Sequence, residues 1–218
     1  MKQRIRSLFL IFLIGLPLNT QPTFASTDKT VQILQEKINT VFSAEIEKSG
    51  FNSFQFYSDS DHASYAGGVA IRDQKITMIV GSDQLSKYSD EALRFITCHE
   101  IGHILAGPPY KNNSHTSKKY RLSYESQSDY WAGLKCLPLI STSPLLDAQS
   151  FFNELSDSLK DIVGDNPFYA HPIPGKTENY IYHSEYASFQ CRYNTVDAGL
   201  NNQLKPNCWD EASVNAHD

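Results

Sequence analysis

The sequence His99-Glu100-Ile101-Gly102-His103 carries more structural information than any other part of this chain. In a helix, histidines four residues apart project from one face, so both imidazoles can bind the same metal ion. Glu100 then lies beside the ion, where its carboxylate can accept a proton from an attacking water. The pattern therefore predicts a catalytic zinc site, with His99 and His103 as ligands and Glu100 as the general base.

The residues on either side of this motif favour a helix. Ser89 and Asp90 are good N-cap candidates, and Asp90 and Glu91 place negative charge in the first turn. Gly107-Pro108-Pro109 ends the helical pattern after Ala106. The alternative interpretation is a buried helix in which hydrogen bonds satisfy both histidines without a metal ion.

Residues 124–132 are predicted to begin a second helix, with Ser123 as its cap and Pro138 as its end. Catalytic zinc usually has three protein ligands and one open position, and Glu125 can supply the missing ligand. Asp129 follows one helical turn later. We expect its carboxylate to accept the free ring N–H of a zinc-bound histidine and so to fix the tautomer of that histidine.

The small residues Ala132 and Gly133 predict a close approach between this second helix and the helix of the first motif. A solvated acidic face is the alternative interpretation of Glu125 and Asp129, because helical carboxylates usually face water. Their spacing after the first motif, on a helix otherwise rich in aromatic residues, favours the metal site.

The combination of His99-Glu-x-x-His103 with Glu125-x-x-x-Asp129 resembles the gluzincin zinc metallopeptidases. The wider stretch, residues 67–137, is most similar to the HtpX and CAAX-prenyl-protease type. The resemblance implies an α+β, zincin-like fold, in which a small antiparallel sheet packs its edge strand on the active-site helix beside several further helices. It also implies one bound zinc ion, which the sequence assigns to His99, His103 and Glu125.

Hydrophobic periodicity predicts the remaining elements. They are a helix at residues 31–46, a strand at 50–57, a hairpin formed by 67–71 and 76–80, and a helix at 151–163.

In the family the sheet borders the active-site cleft, and an edge strand there can bind an extended peptide through backbone hydrogen bonds. Residues 107–121 read as a loop at the cleft rim, whose lysines, including Lys111, we expect to be solvated.

The C-terminal part offers candidates for stabilising the transition state. Related enzymes carry a His-Pro element followed by an arginine near the metal, which resembles His171-Pro172 or His183, together with Arg192. The resemblance implies that His183, or else His171, acts with Arg192 as a catalytic residue on the tetrahedral oxygen. Each histidine could instead be a surface residue, and Arg192 a structural ion-pair partner.

The N-terminus predicts a cleaved signal peptide, residues 1–25. Three cations precede an apolar run at residues 8–16, and Thr23-Phe24-Ala25 has the small-residue pattern of a signal-peptidase site. Cleavage leaves a single domain, residues 26–218, without a stable membrane anchor, in the periplasm or secreted. It also changes the formal net charge from −5 to −8, which argues against binding to nucleic acid or anionic lipid.

The cysteines Cys98, Cys136, Cys191 and Cys208 all lie in the predicted mature chain, so we expect two disulfides in an oxidising compartment. Three connectivities are open. Cys191 with Cys208 closes a short loop and is the preferred pair, whereas a bridge from Cys98 to Cys136 requires a steep helix crossing.

The sequence therefore predicts an exported zinc-dependent metalloendopeptidase that hydrolyses peptide bonds of exported or envelope proteins. Two alternatives remain open. One is a thermolysin-like secreted gluzincin, which normally needs a longer chain. The other is a non-catalytic, zinc-containing binding protein of the envelope, although such a protein has no use for the general base Glu100.

Overall fold

The structure, a computed structural model, describes residues 24–61, 63, 67–111, 122–141 and 189–209. The predicted helix at 151–163, the residues His171 and His183, and nearly all of the predicted signal peptide lie outside these ranges. The helices are α1 (Phe24–Val41), α2 (Ser43–Lys48), α3 (Ser82–Leu85), α4 (Asp90–Leu105), α5 (Glu125–Trp131), α6 (Leu137–Ile140) and α7 (Phe189–Leu200), and the strands are β1 (Ser53–Asp59), β2 (Gly68–Arg72) and β3 (Lys75–Gly81).

The predicted hairpin is confirmed as β2 and β3, which pair antiparallel with Gly68 opposite Ile79. Asp73 and Gln74 form its turn with φ angles of 49° and 59°. Positive φ at both central residues gives the turn a twist that matches the flanking strands. The turn of the hairpin therefore lies where these two polar residues interrupt the apolar pattern.

The sheet is mixed, so the prediction of an antiparallel sheet is wrong, whereas the α+β class is confirmed. The strand order is β1-β3-β2, and β1 runs parallel to β3. The reason lies in β3, whose residues Ile76, Met78 and Val80 are fully buried and which therefore takes the central position. β2 pairs with the other edge of β3, on the far side from β1.

The two edges of the sheet have different surroundings. Side-chain amides of α1 cover the edge of β1, because Asn39 exchanges two hydrogen bonds with the backbone of Phe54, over 2.7 and 2.8 Å. Gln35 accepts a third from the Phe56 N–H over 2.8 Å. The opposite edge, β2, lies beside α4, where a Cβ on Gly67 would be 3.4 Å from Ile96 Cγ2.

The helix predicted at residues 31–46 is divided into α1 and α2, with Phe42 between them. Leu34, Ile38, Phe42 and Ile46 are all buried, which is the four-residue spacing of one helical face. Because α1 begins at Phe24, the predicted cleavage point after Ala25 lies within its first turn. Among the described residues, no helix is both long and apolar enough to cross a bilayer.

Pro138 does not end the helical segment that begins at Glu125, contrary to the prediction. After α5 the chain forms a wider π-helical turn, Ala132–Cys136, and continues into α6 as far as Ile140. Pro138 occupies one of the first positions of α6, where a missing N–H is tolerated. The N-cap of α5 is Tyr124 rather than Ser123.

Glycines allow two close helix contacts, and Gly133 does not have the predicted partner. A Cβ on Gly133 would lie 2.3 Å from the Val196 carbonyl oxygen, so this residue faces α7 and not α4. The approach between α4 and α5 depends on Gly102, where a Cβ would lie 3.1 Å from Ser128 Cα. Gly102, the fourth residue of the first motif, thus allows the second motif to lie close to it.

The preferred disulfide, Cys191–Cys208, is confirmed, and the second bridge joins Cys98 to Cys136. Their Cα–Cα distances are 5.8 and 5.6 Å. The first bridge fixes the beginning of α7, and the second ties α4 to the π-helical turn. Both adjoin residues of the candidate site, since Cys98 precedes His99 and Cys191 precedes Arg192.

Candidate metal centre

Helix α4 presents the two histidines as the sequence predicts. The Ser89 side chain caps it by accepting a hydrogen bond from the Ala92 N–H over 3.1 Å, and the helix stops before Gly107, whose φ is +81°. His99 and His103 are both buried, with their ring centroids 4.7 Å apart. Their Nε2 atoms point towards the same side, where α5 begins.

Glu125, the first residue of α5, places its carboxylate between the two imidazoles. Its Oε2 lies 2.9 Å from His99 Nε2, and its Oε1 lies 3.4 Å from His103 Nε2. Ligand atoms about 2.0–2.1 Å from a tetrahedral zinc are separated by roughly 3.3 Å, which is close to these distances. The structure therefore brings together all three predicted metal ligands in a buried position.

The other ring nitrogen of each histidine is held by α5 or by the residues before it. His99 Nδ1 lies 2.7 Å from Asp129 Oδ1, and His103 Nδ1 lies 2.8 Å from the Ser123 carbonyl oxygen and 2.9 Å from Ser128 Oγ. Because a carboxylate and a carbonyl only accept, both Nδ1 atoms donate. In its neutral form either ring would have its lone pair on Nε2, facing Glu125, whereas a protonated His99 ring donates its Nε2–H to Glu125 Oε2 over 2.9 Å.

Helical spacing explains why one short helix supplies these groups. Glu125, Ser128 and Asp129 stand at positions i, i+3 and i+4, so their side chains share one face of α5. Asp129 occupies the position that the sequence predicted for it, on a histidine ring. Ser123 and Ser128 were not predicted as partners of His103, because serines carry no sequence signal for this role.

Arg192 reaches the site from α7. Its Nε donates to Asp129 Oδ2 and its Nη2 to Asp129 Oδ1, both over 2.8 Å. This forked geometry is the strong form of an arginine–carboxylate pair. The structure thus gives Arg192 the ion-pair role that the sequence left open, while a contribution to the transition state stays a prediction.

Glu100 lies beside the three predicted ligands rather than among them. Its Oε1 is 4.0 Å from His99 Nε2, farther than either Glu125 oxygen is from its nearer imidazole. Glu100, His99 and His103 nevertheless form a group whose ligand atoms all lie within 4.8 Å of one another. A carboxylate at this distance can reach a water or substrate atom next to a bound ion.

Burial and neighbouring charges shift the pKa values of these groups. Burial disfavours the charged imidazole of His99, but Asp129 and Glu125 outweigh it and raise the pKa of His99 to about 9. Burial and the charge of His99 lower the pKa of His103 to about 4. Burial also raises the pKa of Glu100, which suits a group that must take up and release a proton.

The carboxyl groups of Glu125 and Asp129 remain ionised despite their burial. Burial alone would raise both pKa values, but His99 and His103 lower that of Glu125, and Arg192 lowers that of Asp129. Both carboxylates are therefore held as anions in the protein interior by the cationic side chains around them.

Lys111 belongs to this site, and the prediction that it is solvated is wrong. Its Nζ donates a hydrogen bond to Glu125 Oε1 over 2.6 Å, and 11 % of its side chain is exposed. No sequence pattern indicates this contact, because Lys111 reaches Glu125 only when the two ends of its loop pair with each other. The predicted catalytic residue His183 lies outside the described residues, so its role stays a prediction.

Two imidazole nitrogens and one carboxylate oxygen are a donor set that fits zinc, and also other divalent first-row metal ions. No model of a protein family, no curated protein and no solved structure matches the chain. The resemblance to gluzincins therefore stays a prediction. The function has to be argued from the geometry and chemistry of the site itself.

Replacing Arg192 by glutamine is expected to weaken zinc binding by about tenfold, because Asp129 would hold the His99 ring less firmly. It should also lower the free energy of unfolding by about 3 kcal/mol, since the buried Asp129 carboxylate loses its counter-charge. Zinc titration and urea unfolding measure the two effects, with Lys48→Gln, an exposed change on α2, as the control. A fall in kcat at unchanged zinc affinity would assign Arg192 to the transition state instead.

Proposed function

We propose that this chain is a zinc-dependent metalloendopeptidase of the gluzincin type, with a zincin-like fold. The observation that carries the proposal is the position of the Glu125 carboxylate, 2.9 and 3.4 Å from the Nε2 atoms of His99 and His103. Two histidines that are buried only by helix packing have no need of a carboxylate between their Nε2 atoms. A metal site needs a third ligand there, because all its ligand atoms must converge on one ion.

The residues around the three ligands have separate tasks in peptide hydrolysis. Zinc, when bound, lowers the pKa of a coordinated water towards neutrality and polarises a carbonyl group. Glu100 accepts the proton of the attacking water and passes it to the leaving nitrogen. Asp129 fixes the ring of His99 and is itself fixed by Arg192, so that the ligands need not reorganise during the reaction.

The arrangement of the sheet supports a peptide or protein substrate. Gln35 and Asn39 occupy the edge of β1, whereas β2 is the edge that borders the helix carrying His99 and His103. An extended peptide that pairs with β2 would therefore run beside α4. Backbone pairing of this kind binds peptides with limited dependence on their sequence.

The same proposal includes export. Two disulfides fit a protein that works in an oxidising compartment, and the N-terminal sequence predicts a signal peptide. We therefore expect the enzyme to act in the periplasm or outside the cell, on exported or envelope proteins.

Metal analysis combined with a peptide-library digest tests the proposed function. We expect one zinc per purified chain and peptide cleavage that a chelator abolishes and added zinc restores. Cleavage that is unaffected by the chelator would contradict the proposal. Stoichiometric zinc without any hydrolysis would instead favour the non-catalytic envelope protein.

A further inference from the structure

The side chain of Lys111 is directed into the metal centre. Its Nζ lies 2.6 Å from Glu125 Oε1, and this same oxygen lies 3.4 Å from His103 Nε2. The lysine therefore holds the Glu125 atom that faces the second histidine. An ammonium group and a metal ion between the histidines would compete for this oxygen.

Backbone hydrogen bonds fix Lys111 in this place. Residues 109–111 and 122–124 form a short antiparallel pairing, in which the Lys111 N–H donates to the Leu122 carbonyl oxygen over 2.6 Å. The second of these segments leads directly into Glu125. The lysine and the carboxylate are therefore held opposite each other by the same pairing, so their contact does not depend on a freely moving surface side chain.

The charges at the site form two separate pairs. Asp129 is paired with Arg192, and Glu125 is paired with Lys111. His99 lies between the two pairs, with Nδ1 2.7 Å from Asp129 Oδ1 and Nε2 2.9 Å from Glu125 Oε2. With both pairs in place, neither buried carboxylate lacks a counter-charge, which would be costly in the protein interior. A divalent ion at Glu125 provides that charge itself and repels the ammonium group of Lys111.

We propose that Lys111 is a displaceable counter-ion, which binds Glu125 while the site holds no metal and leaves that carboxylate when a divalent ion binds. The inference rests on the proposed function, because it requires His99, His103 and Glu125 to form a metal site. The contact between Lys111 and Glu125 is then autoinhibitory. It stabilises the metal-free protein and opposes metal loading.

Replacing Lys111 by glutamine tests the inference through zinc affinity and metal-free stability. The dissociation constant is measured by competition with a chromophoric chelator, and the thermal midpoint is measured on the metal-free protein. Lys48→Gln is the matched control, because it removes the same charge from an exposed position on α2. Lys111→Arg retains the charge and is expected to bind zinc like the unmodified chain.

We expect Lys111→Gln to bind zinc at least about fivefold more tightly than the unmodified chain. Its metal-free midpoint should fall by about 5–10 °C, since the buried Glu125 carboxylate has lost one of its charged partners. Unchanged or weaker zinc binding in this variant would overturn the inference and leave the proposed function standing. Absence of zinc binding in all four proteins would overturn both.

A second measurement needs no substitution. An amine-acylating reagent is applied to the unmodified chain with and without zinc, and labelling of each lysine is quantified by mass spectrometry. We expect zinc to increase the labelling rate of Lys111 severalfold, because its amine is released, while labelling of Lys48 stays constant. Equal or slower labelling of Lys111 in the presence of zinc would overturn the inference.

Discussion

Replacement of Glu100 by glutamine is expected to reduce peptide hydrolysis by about 10²–10⁴-fold, the usual contribution of a general acid–base group. Glutamine has nearly the same shape as glutamate but cannot accept the proton of the attacking water. Zinc content should stay unchanged, because Glu100 Oε1 lies 4.0 Å from His99 Nε2, whereas Glu125 Oε2 lies 2.9 Å from it.

Cleavage rates and zinc content have to be measured on the same preparations of the Glu100→Gln protein. Glu47→Gln, an exposed change on α2, is the matched control and should leave both quantities unaltered. Full turnover in the Glu100 variant would remove this residue from the mechanism. Loss of zinc together with activity would show that Glu100 is a ligand.

Replacement of Glu125 by alanine is expected to weaken zinc binding by more than about 100-fold. Loss of a residue that only hydrogen-bonds a metal ligand typically costs roughly 10–100-fold, and loss of a ligand should cost more. The variant loses one of the three proposed ligands and leaves the partly buried Lys111 without its carboxylate. Activity at limiting zinc should fall in parallel. Equilibrium dialysis against buffered zinc measures the affinity.

Two further variants give this prediction a scale. Asp129→Asn should weaken zinc binding by about 10–100-fold, because Asp129 holds the His99 ring and does not touch the ion. Arg192→Gln should weaken it by less, because Arg192 acts on that ring through Asp129. Glu47→Ala serves as the exposed control. Full zinc occupancy in Glu125→Ala would mean that another group is the third ligand, and Glu100 would be the first candidate because its carboxylate lies near both histidines.

The parts of the site that the sequence predicted depend on spacing within single helices. His99 and His103 are one turn apart on α4, and Glu125 and Asp129 are one turn apart on α5, so each pair shares a face wherever its helix packs. The β-hairpin is predictable from another local pattern, because Asp73 and Gln74 separate two short apolar runs. These features need no knowledge of distant contacts.

The parts that the sequence did not predict depend on contacts between distant segments. Lys111 meets Glu125 only because the two ends of its loop pair, and β1 pairs with β3 rather than with β2, the strand that follows it in the chain. Gly133 was assigned to the wrong neighbour, since its partner Val196 belongs to a helix 63 residues later in the chain. The sequence shows where a small or charged residue stands in an element, but only the folded chain shows which other segment it contacts.

Pro138 shows a different kind of failure. Proline usually ends a helix because it lacks an N–H and its ring crowds the preceding turn. Here the π-helical turn Ala132–Cys136 changes the backbone register before Pro138, which then takes an early position in α6. Such turns have no reliable sequence pattern, so the helix was predicted to be too short.

The location of zinc in crystals of the zinc-loaded protein tests the central claim most directly, because anomalous diffraction at the zinc absorption edge identifies the ion and its neighbours. The account predicts a single ion between α4 and α5, about 2.0–2.2 Å from His99 Nε2, His103 Nε2 and a Glu125 oxygen. An ion bound without Glu125, or no ion between these helices at saturating zinc, would contradict it.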